Sequence, residues 1–547
     1  MTIPGDELLF LPLGGSGEIG MNVNLFGCQG KWIMVDLGMT FADPSLPGVE
    51  LVLPDLTFIE RNRDRLLGVV LTHGHEDHLG AVPYLAGDLK VPVYATPFTA
   101  GLLREKLKSD GFDDAIKVKT VSMGATLELG PFKIRYVHLA HSIPEGNALV
   151  IETPYGRLFH TGDWKLDDEP LMGKPSTPEQ LTAIGDSGVL ALVGDSTNVF
   201  NREASGSEGE VRRAMLEVVK GRKGRVLVTT FASNAARVDT IGHVANETGR
   251  QLCVVGRSLD RIIRVAKASG YLKHLPPLID PDEAMSLPPQ SVLFVATGCQ
   301  GEARAALARI AAKEHNEIRL SKGDLVIFSS KQIPGNELAV GVLHNALVSQ
   351  GVEVITEKGA HVHVSGHPGR PELEAMYGWI RPQIAVPVHG EMRHMTEHAT
   401  LALSLGVPDA IVPTNGTVIR LAPDGPKKLR EETAGRLVLD GDVIVPADGL
   451  TMVQRRRLLF NGYLSVSLAL QRGKLLGEPV FAVQGLPLEE DLDDFVAKAK
   501  REVVRIVETS NAKDVAGLSE KIRIAIRSQA RDYTGKRPIA EVHIIKV

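Results

Sequence analysis

Short apolar runs broken by turn residues dominate the first 200 residues, at 8–13, 32–37, 69–72, 91–94, 132–138 and 148–152. Runs of this length between Gly, Pro, Asn and Asp predict strands. Helical spacing is confined to short stretches, at 79–86 and 97–109. From about Glu208 the rhythm changes. A helical stretch at 210–220 leads to apolar runs at 226–230, 252–255, 292–296, 325–329 and 352–356, with helical patterns between them. This alternation predicts βαβ units and a parallel sheet covered on both faces. After Ala360 the pattern is mixed: a strand at 383–388, a helix at 391–405, and a strand pair over 411–421 around Asn415-Gly416. Near the end, the alternation of Ile522, Ile524 and Ile526 reads as a strand, with a helix as the alternative.

Composition narrows the class. The 547 residues are 43% hydrophobic and 23% charged, as in a globular protein, which excludes disorder as the main state. At roughly 150 residues per domain, the length suggests three or four units. The net charge of −5 does not advertise a nucleic-acid partner, but residues 521–547 hold seven Lys/Arg against two Asp/Glu. A local basic footprint of this kind matters more than the total. This tail could hold RNA, pack on a second subunit, or form a solvated face. Cys28, Cys253 and Cys299 are odd in number and far apart, so no disulfide framework is expected and a reducing cytoplasm is the simplest compartment. The N-terminus does not read as a signal peptide. No apolar run reaches about 18 residues, so no membrane span is expected.

The strongest chemical signal is His73-Gly74-His75-Glu76-Asp77-His78, directly after an apolar strand. Imidazole and carboxylate suit Zn²⁺. The single residue between His73 and His75 lets both rings reach one metal, and Asp77 and His78 fall where they can serve a second. Further ligand types recur at strand ends: His141, Asp163 in Thr-Gly-Asp-Trp, and His389 in Pro-Val-His-Gly-Glu. Two Zn²⁺ against two aspartates and neutral imidazoles leave a positive site suited to a phosphodiester oxygen.

This pattern resembles the metallo-β-lactamase fold. The resemblance implies His73, His75 and His141 on one zinc, Asp77, His78 and His389 on the other, and Asp163 between them. Asp36 matches an early aspartate that organises the loop. The βαβ block before the last ligand is similar to the insert of β-CASP nucleases. Their extra motifs are matched by Asp195 in Gly-Asp-Ser-Thr-Asn, by His367 in His363-Val364-Ser365-Gly366-His367, and by His389. A histidine at that last place goes with RNA substrates in the family. The detailed resemblance is to the ribonuclease J family, carried also by residues 13–20, Phe231-Ala-Ser-Asn234 and 534–538. The implied fold is α/β: a metallo-β-lactamase αββα sandwich, an inserted doubly wound β-CASP domain and a small α+β C-terminal domain. The corresponding boundaries are 1–207 and 361–455 for the sandwich, 208–360 for the insert, and 456–547 for a linker and the last domain.

Ser233 and Asn234 open one helix, and Ser365, Gly366 and His367 precede another. Helix N-termini bind anions, and the same residues are also ordinary caps. The resemblance implies that Ser233, Asn234 and the segment 363–367 hold an RNA 5′-monophosphate and the adjacent backbone. It implies two Zn²⁺ per subunit, with Mn²⁺ or Mg²⁺ as ions that support activity, and a structural Ca²⁺ at Gly48, Glu50 and Asp440. An acidic loop without an ion is the alternative at those three positions. The expected reaction is in-line hydrolysis of single-stranded RNA, 5′-to-3′ from a monophosphorylated end and also internal. His367 would stabilise charge, and Asp77 or Asp195 would move the proton. Homodimers or homotetramers and partners in an RNA-degradation complex are implied. The rivals are a non-catalytic RNA-binding scaffold and a DNA-directed β-CASP nuclease.

Overall fold

A computed structural model describes residues 6–112, 115–333, 335–511 and 514–547. Its contacts divide the chain into two units. One comprises the chain up to Thr40 with Leu53–Gly435, and the other Phe41–Val52 with Arg436–Val547.

In the first unit, two sheets stack. One has eight strands in the order Lys427–Glu431, Thr417–Ala422, Leu8–Gly14, Val23–Cys28, Lys31–Val35, Leu66–Val70, Val93–Ala95 and Val118–Thr120. The other has seven, in the order Thr126–Leu129, Phe132–His138, Asn147–Thr153, Gly156–His160, Ala191–Asp195, Ile384–Val388 and Asp409–Ala410. Phe10, Phe26, Tyr136, Leu149 and Val386 join one apolar core between them. The outer face of the second sheet is sealed by Leu181, Leu373, Met376 and Leu401, from three helices. Sheets buried on both faces explain why these strands read as continuous apolar runs rather than alternating ones.

Between Asp195 and Ile384 the chain builds a separate parallel sheet, in the order Gln251–Val255, Val292–Ala296, Val226–Thr229, Leu325–Phe328 and Glu353–Ile355. Apolar cores form on both of its faces, as the sequence rhythm predicts. The chain then returns to the strand beside the one it left. Ile384–Val388 pairs in parallel with Ala191–Asp195, and Asp195 stands opposite Val388. Residues on either side of the insertion, Asp195 and His389, therefore reach the same sheet edge.

In the second unit, Tyr463–Gln471 pairs with Val480–Gln484 on one side and in parallel with Ile539–Lys546 on the other. Helices Leu492–Thr509 and Val515–Thr534 supply Phe495, Val503, Ile522 and Ile526 to its core.

Three sequence expectations are corrected. Ile522 and Ile526 are buried one helical turn apart while Ile524 is 56% exposed, so this segment is a helix. An apolar pair four residues apart carried the real signal, and the third isoleucine mimicked strand alternation. Residues 411–421 are not a strand pair. Asp409–Ala410 belongs to the seven-stranded sheet and Thr417–Ala422 to the eight-stranded one, so Asn415-Gly416 lies in a crossover between sheets. The helix expected over 79–86 is two helices, Glu76–Leu79 and Val82–Leu89. They divide at Gly80, where a Cβ would lie 2.3 Å from the Glu76 carbonyl oxygen.

Candidate metal centre

The six-residue histidine motif follows strand Leu66–Val70, with His75 at the start of helix Glu76–Leu79. Asp36 holds this turn with a φ of 63°, a conformation uncommon outside glycine. Its carboxylate accepts the Thr72 N–H at 2.7 Å, the Thr72 hydroxyl at 2.8 Å and the His78 Nδ1 proton at 2.7 Å. One buried acid thus fixes the loop and aims the Nε2 of His78 inward. Asp36 is an organiser, as its place in the sequence suggests.

Two sets of ligand atoms result. His73, His75, His141 and Asp163 form one, and Asp77, His78, Asp163 and His389 the other, each set with its atoms within 4.8 Å of one another. Asp163 belongs to both, with Oδ2 at 3.1 Å from His78 Nε2 and 3.4 Å from His389 Nε2. In the first set His75 Nδ1 lies 3.1 Å from His73 Nε2 and 3.0 Å from His141 Nε2. Burial, reinforced by neighbouring imidazoles, pushes His73 and His141 well below the usual histidine range, and burial takes His75 down to about 4. Neutral imidazoles converging this closely present lone pairs to a common point, which suits a divalent cation. In the second set burial opposes charge on His78, but Asp163, Asp77 and Asp36 override it and raise His78 well above its usual range. That excess of negative charge is what an ion of charge +2 would neutralise.

The outer contacts fix the tautomers. His141 Nδ1 donates to the Gly366 carbonyl at 2.6 Å, and His73 Nδ1 lies 2.9 Å from the Thr72 hydroxyl. The Asn22 amide lies against His389 Nδ1, with its nitrogen at 2.8 Å and its oxygen at 3.0 Å, and the nitrogen is also 3.1 Å from His78 Nε2. Such partners orient metal ligands and set their basicity. Sequence reasoning missed Asn22, which lies 367 residues from His389 and carries no local signal.

A third group, Asp195, His367 and His389, adjoins the two sets. Asp195 Oδ2 is 2.8 Å from His367 Nδ1, and its Oδ1 accepts from the Thr197 N–H and hydroxyl at 2.9 and 2.6 Å. Burial would lower His367, but Asp195, with Asp163 and Asp77 behind it, lifts it to about 9. The His367 Nδ1 lies 3.9 Å from the shared Asp163 carboxylate.

The segment 363–367 spans two environments. Val364 packs in the core of the inserted sheet, while Gly366 contacts His141. A Cβ at Gly366 would lie 2.9 Å from His141 Cε1, so only glycine allows this approach. The Ser365 hydroxyl accepts from Asn198 at 2.6 Å and from the His367 N–H at 3.1 Å. His363 is held neutral by burial and by the nearby Arg237, Lys165 and Lys331, and its Nδ1 has no protein partner. Ser233 is half-buried, whereas Asn234 is buried and caps helix Ala235–Thr248 by accepting the Arg237 N–H at 2.9 Å. The Asn234 side chain is thus occupied as a cap.

In the second unit, the Asp440 carboxylate pairs with Arg455 at 2.7 Å, and the same guanidinium lies 3.2 Å from a Cβ placed on Gly48. The position that the resemblance gives to calcium is faced by a cationic side chain. Glu50 and Asp440 are in none of the metal-ligating groups among the described residues.

Family comparisons agree with this geometry. Residues 21–217 match the metallo-beta-lactamase superfamily and 223–347 the beta-CASP domain of ribonuclease J. Residues 351–413 match a Zn-dependent metallo-hydrolase RNA specificity domain, and 450–547 the ribonuclease J C-terminal domain. Ribonuclease J of Sinorhizobium meliloti is 43% identical over 99% of this chain and 98% of its own. The chain belongs to the ribonuclease J family. It is a metal-dependent hydrolytic nuclease, with a divalent metal cofactor and an RNA-binding domain. Ribonuclease J of Mycolicibacterium smegmatis is 36% identical over 98% of this chain and 96% of its own, and ribonuclease J 1 of Streptococcus pyogenes 34% over 98% of each. A solved protein of unknown function from Enterococcus faecalis shares the fold, with a TM-score of 0.53 and 17% identity over 76% of this chain and all of that one. No helix among the described residues is long and apolar enough to cross a membrane.

Proposed function

We propose that this member of the ribonuclease J family degrades single-stranded RNA in the 5′-to-3′ direction from a monophosphorylated end, with internal cleavage as a second mode, in RNA maturation and decay. The observation that carries this reading is the Gly366 carbonyl on His141, which joins the segment proposed to hold the phosphate directly to a proposed metal ligand. A chain end held at Ser233, His363 and Ser365 would sit at a fixed distance from the metals, so hydrolysis would proceed by regular steps. We assign the first-unit parts of 1–207 and 361–455, which end at Gly435, to the metal layers, 208–360 to the insert, and Phe41–Val52 with Arg436–Val547 to the linker and last domain.

His73, His75 and His141 would hold one Zn²⁺ and Asp77, His78 and His389 the second, with Asp163 shared. When bound, the pair supplies Lewis-acid charge and lowers the pKa of water at the site. The remaining chemistry belongs to the chain. His367, held protonated by Asp195, donates to a phosphate oxygen as charge develops there. Asp77, 31% exposed at its side chain and 3.7 Å from His389, would pass a proton to solvent. Asn22, Asp36 and Thr72 hold the rings in position. Three buried free thiols support a reducing cytoplasm. The exposed Leu459, Phe460 and Val480 of the second unit support assembly into a homodimer or homotetramer, and contact with other degradation proteins.

The test uses one RNA with a 5′-monophosphate, 5′-triphosphate or 5′-hydroxyl end, with the equivalent DNA alongside and H75A protein as control. Release of mononucleotides fastest from the monophosphate is expected. Intact RNA after incubation with protein shown to hold two zinc ions would overturn the reading, and faster cleavage of DNA would redirect it.

A further inference from the structure

One buried ion pair takes no part in the metal centre yet lies where the segments around the anion site meet. Arg237 is fully buried on helix Ala235–Thr248, whose cap is Asn234. Its Nη1 donates to the Val362 carbonyl at 2.8 Å, to the Ser329 carbonyl at 3.2 Å and to the Ser329 hydroxyl. Ser329 in turn donates to the same Val362 carbonyl at 2.7 Å. The other edge of the guanidinium grips Glu208 through Nε at 3.3 Å and Nη2 at 3.1 Å. Glu208 opens helix Glu208–Val219, and its N–H bonds the buried Asp167 at 3.0 Å.

A buried pair of this kind is weak evidence for stability, because well-packed apolar residues of equal volume often do as well. What the fork fixes is a distance. Its planar, rigidly spaced donors hold the backbone just before His363 against the helix start just after Ser233. The flexible point charge of a lysine would not reproduce that spacing.

We propose that Arg237 is a positioning residue for recognition of the RNA 5′ end: through Val362 and Ser329 it sets the gap between Ser233 and the 363–367 segment, and with it the preference for a terminal phosphate. The inference rests on the reading that these segments hold the 5′-phosphate. A gap wrong by about 1 Å weakens bidentate capture of a phosphate far more than passage of an unphosphorylated chain.

The experiment measures kcat and KM for 5′-monophosphate and 5′-hydroxyl versions of one RNA with wild-type, R237K and S329A proteins. The ratio of kcat/KM between the two ends does not depend on the fraction of folded enzyme. The ratio for R237K is expected to fall about tenfold, through KM for the monophosphate RNA, with a smaller fall in the same sense for S329A. Equal loss on both ends with an unchanged ratio would mean a purely structural pair and overturn the inference. Should R237K fail to fold, an unchanged ratio in S329A overturns it equally. A wild-type ratio near one would instead defeat the phosphate reading, and this inference with it.

Discussion

Oδ2 of Asp195 lies 2.8 Å from Nδ1 of His367 across 172 residues of chain. The contact joins a strand end of the metal layers to the segment that returns from the inserted sheet. It raises the pKa of a half-buried imidazole.

That pairing predicts a kinetic effect without loss of metal. D195N should lower the single-turnover rate constant by about 10²-fold while bound metal, read by elemental analysis, is unchanged. His367 stands above its ordinary value at about 9, so its charged form persists through neutrality and is lost as pH rises through that point. The alkaline fall in activity should move to lower pH in D195N. An unmoved alkaline limb would remove His367 from the reaction.

Asn22 predicts a defect in metal affinity. Its amide lies against His389 Nδ1, with the nitrogen at 2.8 Å and the oxygen at 3.0 Å, and with the oxygen accepting the Nδ1 proton Nε2 is free as a ligand. In N22A, metal affinity measured by competition with a chelator should fall about 10- to 100-fold. Far-ultraviolet circular dichroism should be unaltered. Wild-type affinity in N22A would show that the second ligand set holds without this contact.

Lys165 and Asp167 predict an acid-dependent stability term. Their side chains are buried and 2.9 Å apart. Burial opposes charge on Asp167, but Lys165 overrides it and the Glu208 N–H adds to the effect, so its pKa is depressed. A depressed carboxyl contributes stability above its unfolded value and loses it as pH falls through the folded one. D167N should cost about 3–5 kcal/mol near neutral pH, since it leaves a buried ammonium unpaired. The difference from wild type should shrink as pH falls below about 4. Urea melts at several pH values provide the measurement.

The C-terminal helix predicts a contrast between neighbouring isoleucines. Ile526 is fully buried and Ile524 is 56% exposed. I526A should cost about 2–5 kcal/mol, and I524A within about 0.5 kcal/mol of zero. Equal costs would return this segment to the strand reading.

Much of this architecture is legible along the chain. The apolar runs at 226–230 and 292–296 each became a strand of the parallel sheet, because a strand buried on both faces leaves an uninterrupted apolar signature. The segment at 411–421 was not legible, since Asn-Gly favours a local turn but cannot say whether the flanking strands pair with each other. The Ile522 segment misled because its spacing satisfies two periods at once over so short a span.

The sequence by itself determined the ligand chemistry. Histidines and aspartates at strand ends define the donor set, because the metal requires those side chains. Only the tertiary structure decided what holds them. Asn22 beside His389, the Gly366 carbonyl on His141, and Arg237 on Val362 are contacts between residues more than 100 positions apart. Such partners obey no periodicity or spacing rule, because they are set by packing between segments distant in the chain; His389, for one, is brought in where the return strand Ile384–Val388 seats beside Ala191–Asp195.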